Sequence, residues 1–296
     1  MPRASIIVTA VFVTGGLLIP SSSNITRAQQ VGLERGSLIV AIPTADGLVV
    51  ASDSRGSMSG DRFCDDVVKI LPLKHIPRTV IAVAGTERIF IKEPTGTPAC
   101  ENNRRKPMFD FLQLATDFLD SGEAIVSLHW FNKLRDFMLK RVRQSQRDAP
   151  DLSEACSTDG VAIVLASYEP KSKTAIVATF EICAEKPAQR VEILRQQWTE
   201  FHQEDPAYAN ATGTRDFDLI QSGKAVQYVR SVDLTSYYIF SSKQISEVSS
   251  KDGLKMATIL ISATTELTNL PGHDKSVHGP IHAFLLNGQV APIQLQ

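Results

Sequence analysis

Three side chains near the start of the chain have the types from which a nucleophilic site is built. Ser37 supplies a hydroxyl, Asp53 a carboxylate and Lys69 an ammonium. Apolar runs at 38–42 and 48–51 flank a turn that contains Asp-Gly, a pattern typical of a β-hairpin. Folding about that turn returns Asp53 to the neighbourhood of Ser37. The sequence therefore predicts that the hydroxyl and the carboxylate lie close together.

Lys69 lies in a third apolar run, at 67–71, which predicts a strand with one cation inside it. A buried Lys is costly unless it is paired, and Asp53 is the obvious partner. Both hairpin strands are apolar at nearly every position, so we expect their sheet to be covered on both faces. The prediction is a buried ion pair beside Ser37, with Gly36 directly before the hydroxyl.

The stretch from Gly36 to Gly85 resembles the start of a proteasome β-subunit, in the N-terminal-nucleophile hydrolase class. In that family the protein cuts its own Gly–Thr bond and frees a nucleophilic Thr. Gly36 matches the family's Gly, and Ser37 takes the place of the Thr. Asp53 and Lys69 follow Ser37 by 16 and 32 residues, which fits the family without a gap.

The resemblance implies supporting roles for Gly36, Arg55, Gly85, Ser222 and Asp274. Arg55 completes the Asp-Ser-Arg motif after the hairpin, and Gly85 follows the fourth strand. Ser222 resembles the family's Ser-Gly pair before a helix, and Asp274 resembles the late loop that braces the nucleophile. Two positions depart from the family: Ser37 replaces Thr, and Val277 stands where the late loop has a Ser.

The resemblance also implies a fold and an activity. Pattern alone gives α+β with buried sheets. The family implies a four-layer αββα sandwich of two antiparallel sheets between helical layers. The implied activity is a self-processing amide or peptide bond hydrolase, threonine-peptidase-like but with Ser37 as the N-terminal nucleophile. Its substrate would be a peptide or a small amide, and copies of the chain would associate as a homo-oligomer.

The implied chemistry needs no cofactor. Cleavage before Ser37 exposes its own α-amine, whose pKa of about 8 leaves a useful neutral fraction near neutral pH. That amine can act as the base. Lys69, held cationic by Asp53, lowers the proton affinity of the hydroxyl and the amine.

Other interpretations stay open. Asp53 and Lys69 could form a structural ion pair in a non-catalytic, proteasome-like structural or binding protein that keeps the fold. A secreted protein unrelated to the family would make the spacing a coincidence. Three histidines lie near Asp274, but they do not have the spacing of a helical metal site, so no metal is predicted.

The remaining elements follow from periodicity. Helical spacing indicates helices near 109–118, 126–147 and 253–270, with a short helix after Ser222. Strand pairs are predicted at 160–167 with 175–182 and at 280–286 with 289–293. Residues 184–220 are charged and mixed, and they show no readable period.

Residues 1–28 have the form of a secretory signal peptide, in which Arg3 precedes an apolar run and a small-residue site ends at Ala28. Cleavage there would leave 29–36 as a short propeptide before one hydrolase domain at 37–296. We therefore expect export to the periplasm or the exterior, and no membrane association once the signal is removed.

Composition and cysteine count agree with an exported globular protein. The chain has 296 residues, 43% of them hydrophobic, and its net charge of −1 gives no indication of a nucleic-acid partner. Four cysteines permit two disulfides in an oxidising compartment. Cys156 and Cys183 flank a predicted hairpin and are the first candidate pair, with Cys64 and Cys100 as the complement. Buried free thiols are the alternative.

Overall fold

The computed structural model describes residues 32–34, 37–58, 62–85, 87–90, 107, 109–122, 125–148, 160–185, 190–213, 235–237, 243–269, 277–287 and 290–293. Within these ranges the protein is a mixed α+β structure with two large antiparallel sheets and three α-helices. The strands are β1 (Gly32–Glu34), β2 (Leu38–Thr44), β3 (Gly47–Ser52), β4 (Gly56–Met58), β5 (Arg62–Cys64), β6 (Ile70–Pro72), β7 (Thr79–Gly85), β8 (Arg88–Phe90), β9 (Phe109–Asp110), β10 (Val161–Glu169), β11 (Thr174–Glu185), β12 (Arg190–Phe201), β13 (Ala209–Gly213), β14 (Thr235–Tyr237), β15 (His282–Leu286) and β16 (Val290–Ile293). The helices are α1 (Phe111–Asp120), α2 (Leu128–Asp148) and α3 (Ser250–Thr268).

The first large sheet has six strands in the order β14-β13-β2-β3-β15-β16. Its centre is the predicted hairpin, in which Thr44 pairs with Gly47 and Ile39 with Ser52. Every residue of β2 and β3 is buried, so the prediction of a hairpin covered on both faces is confirmed.

The second large sheet has five strands in the order β12-β11-β10-β7-β6. The predicted hairpin of β10 and β11 is present, with Val161 opposite Ile182. Two small sheets complete the described strands: β1-β8-β9, in which Glu34 pairs with Arg88, and β4-β5.

Alternate residues of β10 enter two different hydrophobic clusters. Ala162 and Val164 join a cluster that also contains residues of β2, β3, β13 and α3. Ile163 and Leu165 join a second cluster, which contains residues of α1 and α2. Since successive side chains of a strand point to opposite faces, both faces of the five-stranded sheet are covered by apolar side chains.

Side chains cap the starts of α1 and α3. The Asp110 side chain accepts a hydrogen bond from the Gln113 backbone N–H at 2.9 Å and caps α1. Ser249 caps α3 in the same way through the N–H of Asp252. All three predicted long helices are confirmed, with ends shifted by a few residues. Among the residues that the structure describes, no helix combines the length and the apolar character needed to cross a bilayer.

One sequence prediction was wrong in detail. The strand expected at 67–71 begins only at Ile70, and Lys69 lies just before it. The Val67 N–H bonds to the Ser54 carbonyl, which holds this segment against the chain after β3, and Val68 is exposed. Residues 184–220, which show no readable period in the sequence, contain the long strand β12 and the buried strand β13. β12 is an edge strand in which the consecutive polar residues 195–197 are all exposed, so its apolar signal is weak.

Cys64 is buried and forms a disulfide. Its predicted pairing with Cys100, and that of Cys156 with Cys183, involve side chains outside the described residues, so the connectivity stays a prediction.

Candidate functional site

Ser37 lies directly before β2, at the end of a central strand of the six-stranded sheet. Its side chain is 1% exposed. The neighbouring strand β13 ends beside it at Gly213, which has a φ of +113°. A Cβ at position 213 would lie 1.9 Å from the Ser37 carbonyl oxygen, so only a glycine leaves room for the Ser37 backbone.

Asp53 follows β3 and is fully buried. Its Oδ1 accepts the Leu38 backbone N–H at 2.8 Å, and its Oδ2 accepts those of Arg55 at 3.1 Å and His278 at 3.3 Å. Lys69 Nζ donates to both oxygens, at 3.1 and 3.0 Å. Burial raises the pKa of the Asp53 carboxyl, while the Lys69 ammonium and the backbone N–H groups act in the opposite direction. The carboxylate therefore connects the start of β2, the end of β3 and the chain before β15.

The Lys69 ammonium is also fully buried. Besides Asp53, it donates to the Arg55 carbonyl oxygen at 2.5 Å and lies 3.6 Å from Glu87 Oε1. The predicted ion pair of Asp53 and Lys69 is thus present, and its catalytic role stays a prediction. A compact ammonium with several acceptors around it is the arrangement that a buried cation requires.

Glu87 is the site residue that the sequence reasoning missed. The Ser37 hydroxyl donates a hydrogen bond to Glu87 Oε1, and Glu87 as a residue is 3% exposed. Glu87 comes two residues after β7, a strand that is buried throughout. A carboxylate placed so soon after a buried strand was the available signal, but no family motif marks this position.

Arg55, Asp65 and His278 form a second polar group next to Asp53 and Lys69. Arg55 donates to both carboxylate oxygens of Asp65, at 2.5 and 2.7 Å, and its guanidinium lies 4.7 Å from the centre of the Phe63 ring. These hydrogen bonds lower the pKa of the Asp65 carboxyl. His278 Nδ1 lies 3.4 Å from Asp65 Oδ2, a contact that is ionic only when the imidazole is protonated. Arg55 therefore connects the two polar groups, because its backbone N–H donates to Asp53 and its side chain binds Asp65.

The other predicted supporting residues have different outcomes. Gly85 ends β7 with a φ of +83°, a left-handed conformation that favours glycine. Gly36, Ser222 and Asp274 lie outside the described residues. The parts of the chain that are described contain no group of three or more His, Cys, Asp or Glu side chains placed to hold a metal ion.

The arrangement can support nucleophilic chemistry. A serine hydroxyl donates to a carboxylate, a buried ammonium lies near that carboxylate, and a second carboxylate holds the ammonium in place. These are the elements of an activated nucleophile: a proton acceptor, a positive charge and a fixed orientation.

Two solved structures of Anbu, a bacterial proteasome-like protein, from Hyphomicrobium sp. strain MC1 are similar to this chain. One, a mutant form, has 15% sequence identity and a TM-score of 0.44, and the similarity covers 88% of each chain. The other has 14% identity and a TM-score of 0.43, again over 88% of each chain. No protein-family model and no curated protein matches the sequence. At this identity and TM-score the likeness assigns no activity to the chain.

Proposed function

We propose that the protein is a self-processing amide or peptide bond hydrolase of the proteasome-like, N-terminal-nucleophile class, with Ser37 as the nucleophile. The observation that carries the proposal is the position of the Lys69 ammonium. It is bound to Asp53 at 3.0 Å and lies 3.6 Å from the carboxylate oxygen that accepts the Ser37 hydroxyl.

These positions support the following chemistry for the processed enzyme. Once the bond before Ser37 is cut, the freed α-amine takes the hydroxyl proton, since its pKa of about 8 leaves part of it neutral near pH 7. The oxygen attacks the carbonyl carbon of a peptide or small amide, and the proton passes to the leaving amine. Water then hydrolyses the ester. Lys69 stabilises negative charge as it develops on the oxygen, and Asp53 holds Lys69 in place.

The four-layer αββα arrangement is part of the same proposal. Its support is the division of the core into two clusters, one shared by both large sheets and α3, the other by the five-stranded sheet, α1 and α2. Assembly of identical copies is also proposed from the resemblance, and analytical ultracentrifugation of the processed chain tests it.

Export by a signal peptide at 1–28, with 29–36 as a propeptide, is proposed on the sequence pattern. The disulfide at Cys64 supports it, because disulfides persist mainly in oxidising compartments.

The test is intact-mass and N-terminal analysis of the purified protein. The expected mature chain begins at Ser37, and Ser37→Ala should remain uncut while the exposed Ser172→Ala control is processed like the parent. The processed parent should also hydrolyse small amide or peptide substrates. A mature chain that begins at Gln29 under all conditions would contradict the proposal.

One observation favours a second candidate, a non-catalytic protein that keeps the fold. The Ser37 side chain is 1% exposed and its hydroxyl is already held by Glu87, so no substrate reaches it in the uncut chain. The two candidates differ in what cleavage does. In a hydrolase it produces activity, whereas a binding protein would show neither cleavage at Ser37 nor turnover.

A further inference from the structure

The proposed chemistry supplies no base for the self-cleavage step that first frees the Ser37 amine. Before self-cleavage, the nitrogen of Ser37 is part of the peptide bond to Gly36 and carries no free lone pair that can accept a proton. The α-amine serves only after the bond has been cut. Another group must therefore accept the hydroxyl proton during processing.

We infer that Glu87 accepts the proton of the Ser37 hydroxyl during self-cleavage and is a catalytic residue of that step. This inference rests on the proposed function and adds to it a residue that the resemblance does not supply. The Ser37 hydroxyl already donates to Glu87 Oε1, so the two groups meet the geometric requirement for proton transfer.

The position of Glu87 is fixed by its surroundings. Its side chain is 4% exposed, and its backbone carbonyl accepts the Phe111 N–H at 3.0 Å at the start of α1. Arg88, the next residue, is held by Asp110 at 3.1 Å. Because α1 and β8 hold the carbonyl group of Glu87 and the residue that follows it, the carboxylate is kept against Ser37.

Asp53 is the less suitable acceptor, although it is also a buried carboxylate near Ser37. Both of its oxygens already receive N–H donors, from three backbone groups and from Lys69. A proton on either oxygen would displace one of these donors. Glu87 Oε1 instead receives the very hydroxyl hydrogen that must be removed.

Lys69 connects the two carboxylates. It lies 3.0 Å from Asp53 Oδ2 and 3.6 Å from Glu87 Oε1, so its charge lies close to the atom that exchanges the proton with Ser37. When the proton moves to Glu87, negative charge develops on the Ser37 oxygen, and the nearby ammonium stabilises that charge.

The step balances without an added reagent other than water. The Ser37 O–H bond breaks, its proton moves to Glu87, and the oxygen bonds to the carbonyl carbon of Gly36. The carbon–nitrogen bond then breaks as Glu87 returns the proton to the Ser37 nitrogen, which leaves an ester and a free amine. Water hydrolyses the ester and gives the Gly36 carboxyl and the Ser37 hydroxyl.

The experiment measures the processing rate of the full chain by intact-mass spectrometry as a function of pH. Glu87→Gln keeps the size and an acceptor oxygen but does not take up a proton. We expect its processing to be slower on the order of 100-fold or more. The parent rate should fall in acid as the carboxylate is protonated, whereas residual processing by the Gln variant should follow hydroxide concentration. The exposed Glu204→Gln serves as the matched control and should behave like the parent.

The outcomes separate this inference from the proposed function. Processing of the parent and of Glu87→Gln at equal rates and with equal pH profiles would overturn the role of Glu87 and leave the proposed function standing. A parent chain that is never processed would overturn both. If Glu87→Gln does not fold, Glu87→Asp decides. Slowed processing that keeps the loss in acid supports the inference, and a parent-like rate overturns it.

Discussion

Gly213 and Ser37 approach each other so closely that the two backbones leave no space for a side chain between them. A Cβ on Gly213 would lie 1.9 Å from the Ser37 carbonyl oxygen and 2.9 Å from its carbonyl carbon. Gly213 pairs with Leu38 in the sheet, so the end of β13 fixes the position of Ser37 directly before β2. The candidate nucleophile is therefore positioned by a strand that lies far from it in the sequence.

We expect Gly213→Ala to displace Ser37 and to slow self-cleavage on the order of 100-fold. The φ of +113° adds backbone strain of about 1–3 kcal/mol, so the free energy of unfolding should fall as well. Intact-mass spectrometry and chemical denaturation measure the two effects. The control is Gly253→Ala in α3, whose new Cβ would lie 2.7 Å from the Thr44 side chain at the opposite end of β2, so it should lose stability but be processed like the parent. Normal processing by Gly213→Ala would show that Ser37 is not positioned by β13.

Substitutions of Lys69 distinguish a catalytic site from a structural ion pair. Lys69→Ala leaves the buried Asp53 carboxylate without its cation, which should cost about 3–5 kcal/mol of stability and abolish processing. Lys69→Arg keeps the charge, but a planar guanidinium does not replace a compact ammonium, so we expect a folded protein with processing reduced on the order of 100-fold.

The exposed Lys74→Arg is the control for the Lys69 variants. Each variant is assayed for processing at Ser37 and for hydrolysis of small amides. Parent-like processing and turnover by Lys69→Arg would reduce Lys69 to a structural cation and refute the proposed mechanism.

The ion pair of Arg55 and Asp65 predicts a dependence of stability on pH. Because Arg55 lowers the pKa of Asp65 in the folded state, the contribution is present above the ordinary Asp pKa of about 3.9 and is lost as the pH falls through the lowered value. The Asp65 side chain is 38% exposed, so solvent screening limits the effect of Asp65→Asn at pH 7 to about 1 kcal/mol.

Urea unfolding of the parent and of Asp65→Asn over a pH series measures this contribution. The difference between the two proteins should shrink as the pH is lowered into the acid range. The exposed Asp148→Asn control should remain within about 0.5 kcal/mol of the parent. A difference that stays constant down to the lowest pH would rule out the linkage.

The disulfide at Cys64 predicts the thiol content of the protein. With two disulfides, denatured but unreduced protein should show no titratable thiols, and Cys64→Ser should expose one new thiol, that of its partner. Labelling that thiol and mapping the peptide identifies whether the partner is Cys100. Four reactive thiols in the parent would instead show that the cysteines are reduced.

The sequence by itself determined the hairpin and the ion pair. Continuous apolar runs about an Asp-Gly turn are compatible with few structures other than a hairpin. A lone cation in an apolar run requires a nearby acid, so the ion pair of Asp53 and Lys69 could be predicted from the sequence. The long helices were equally clear, because their apolar residues repeat at helical spacing. These signals are local, and neighbouring residues decide them.

Only the tertiary structure decided how Glu87, Gly213 and His278 surround Ser37 and Asp53. These three residues come from different parts of the chain and have no shared spacing. Strand pairing brings Gly213 to Ser37, whereas Glu87 follows a strand of the other large sheet and His278 lies in the chain before β15. The strand β12 was not predicted because it lies at the edge of its sheet and has exposed residues on both faces, so it carries little apolar pattern. A strand can be predicted from local sequence when its buried positions are apolar. The site instead depends on which strands and loops lie next to one another, and packing of the whole core decides that.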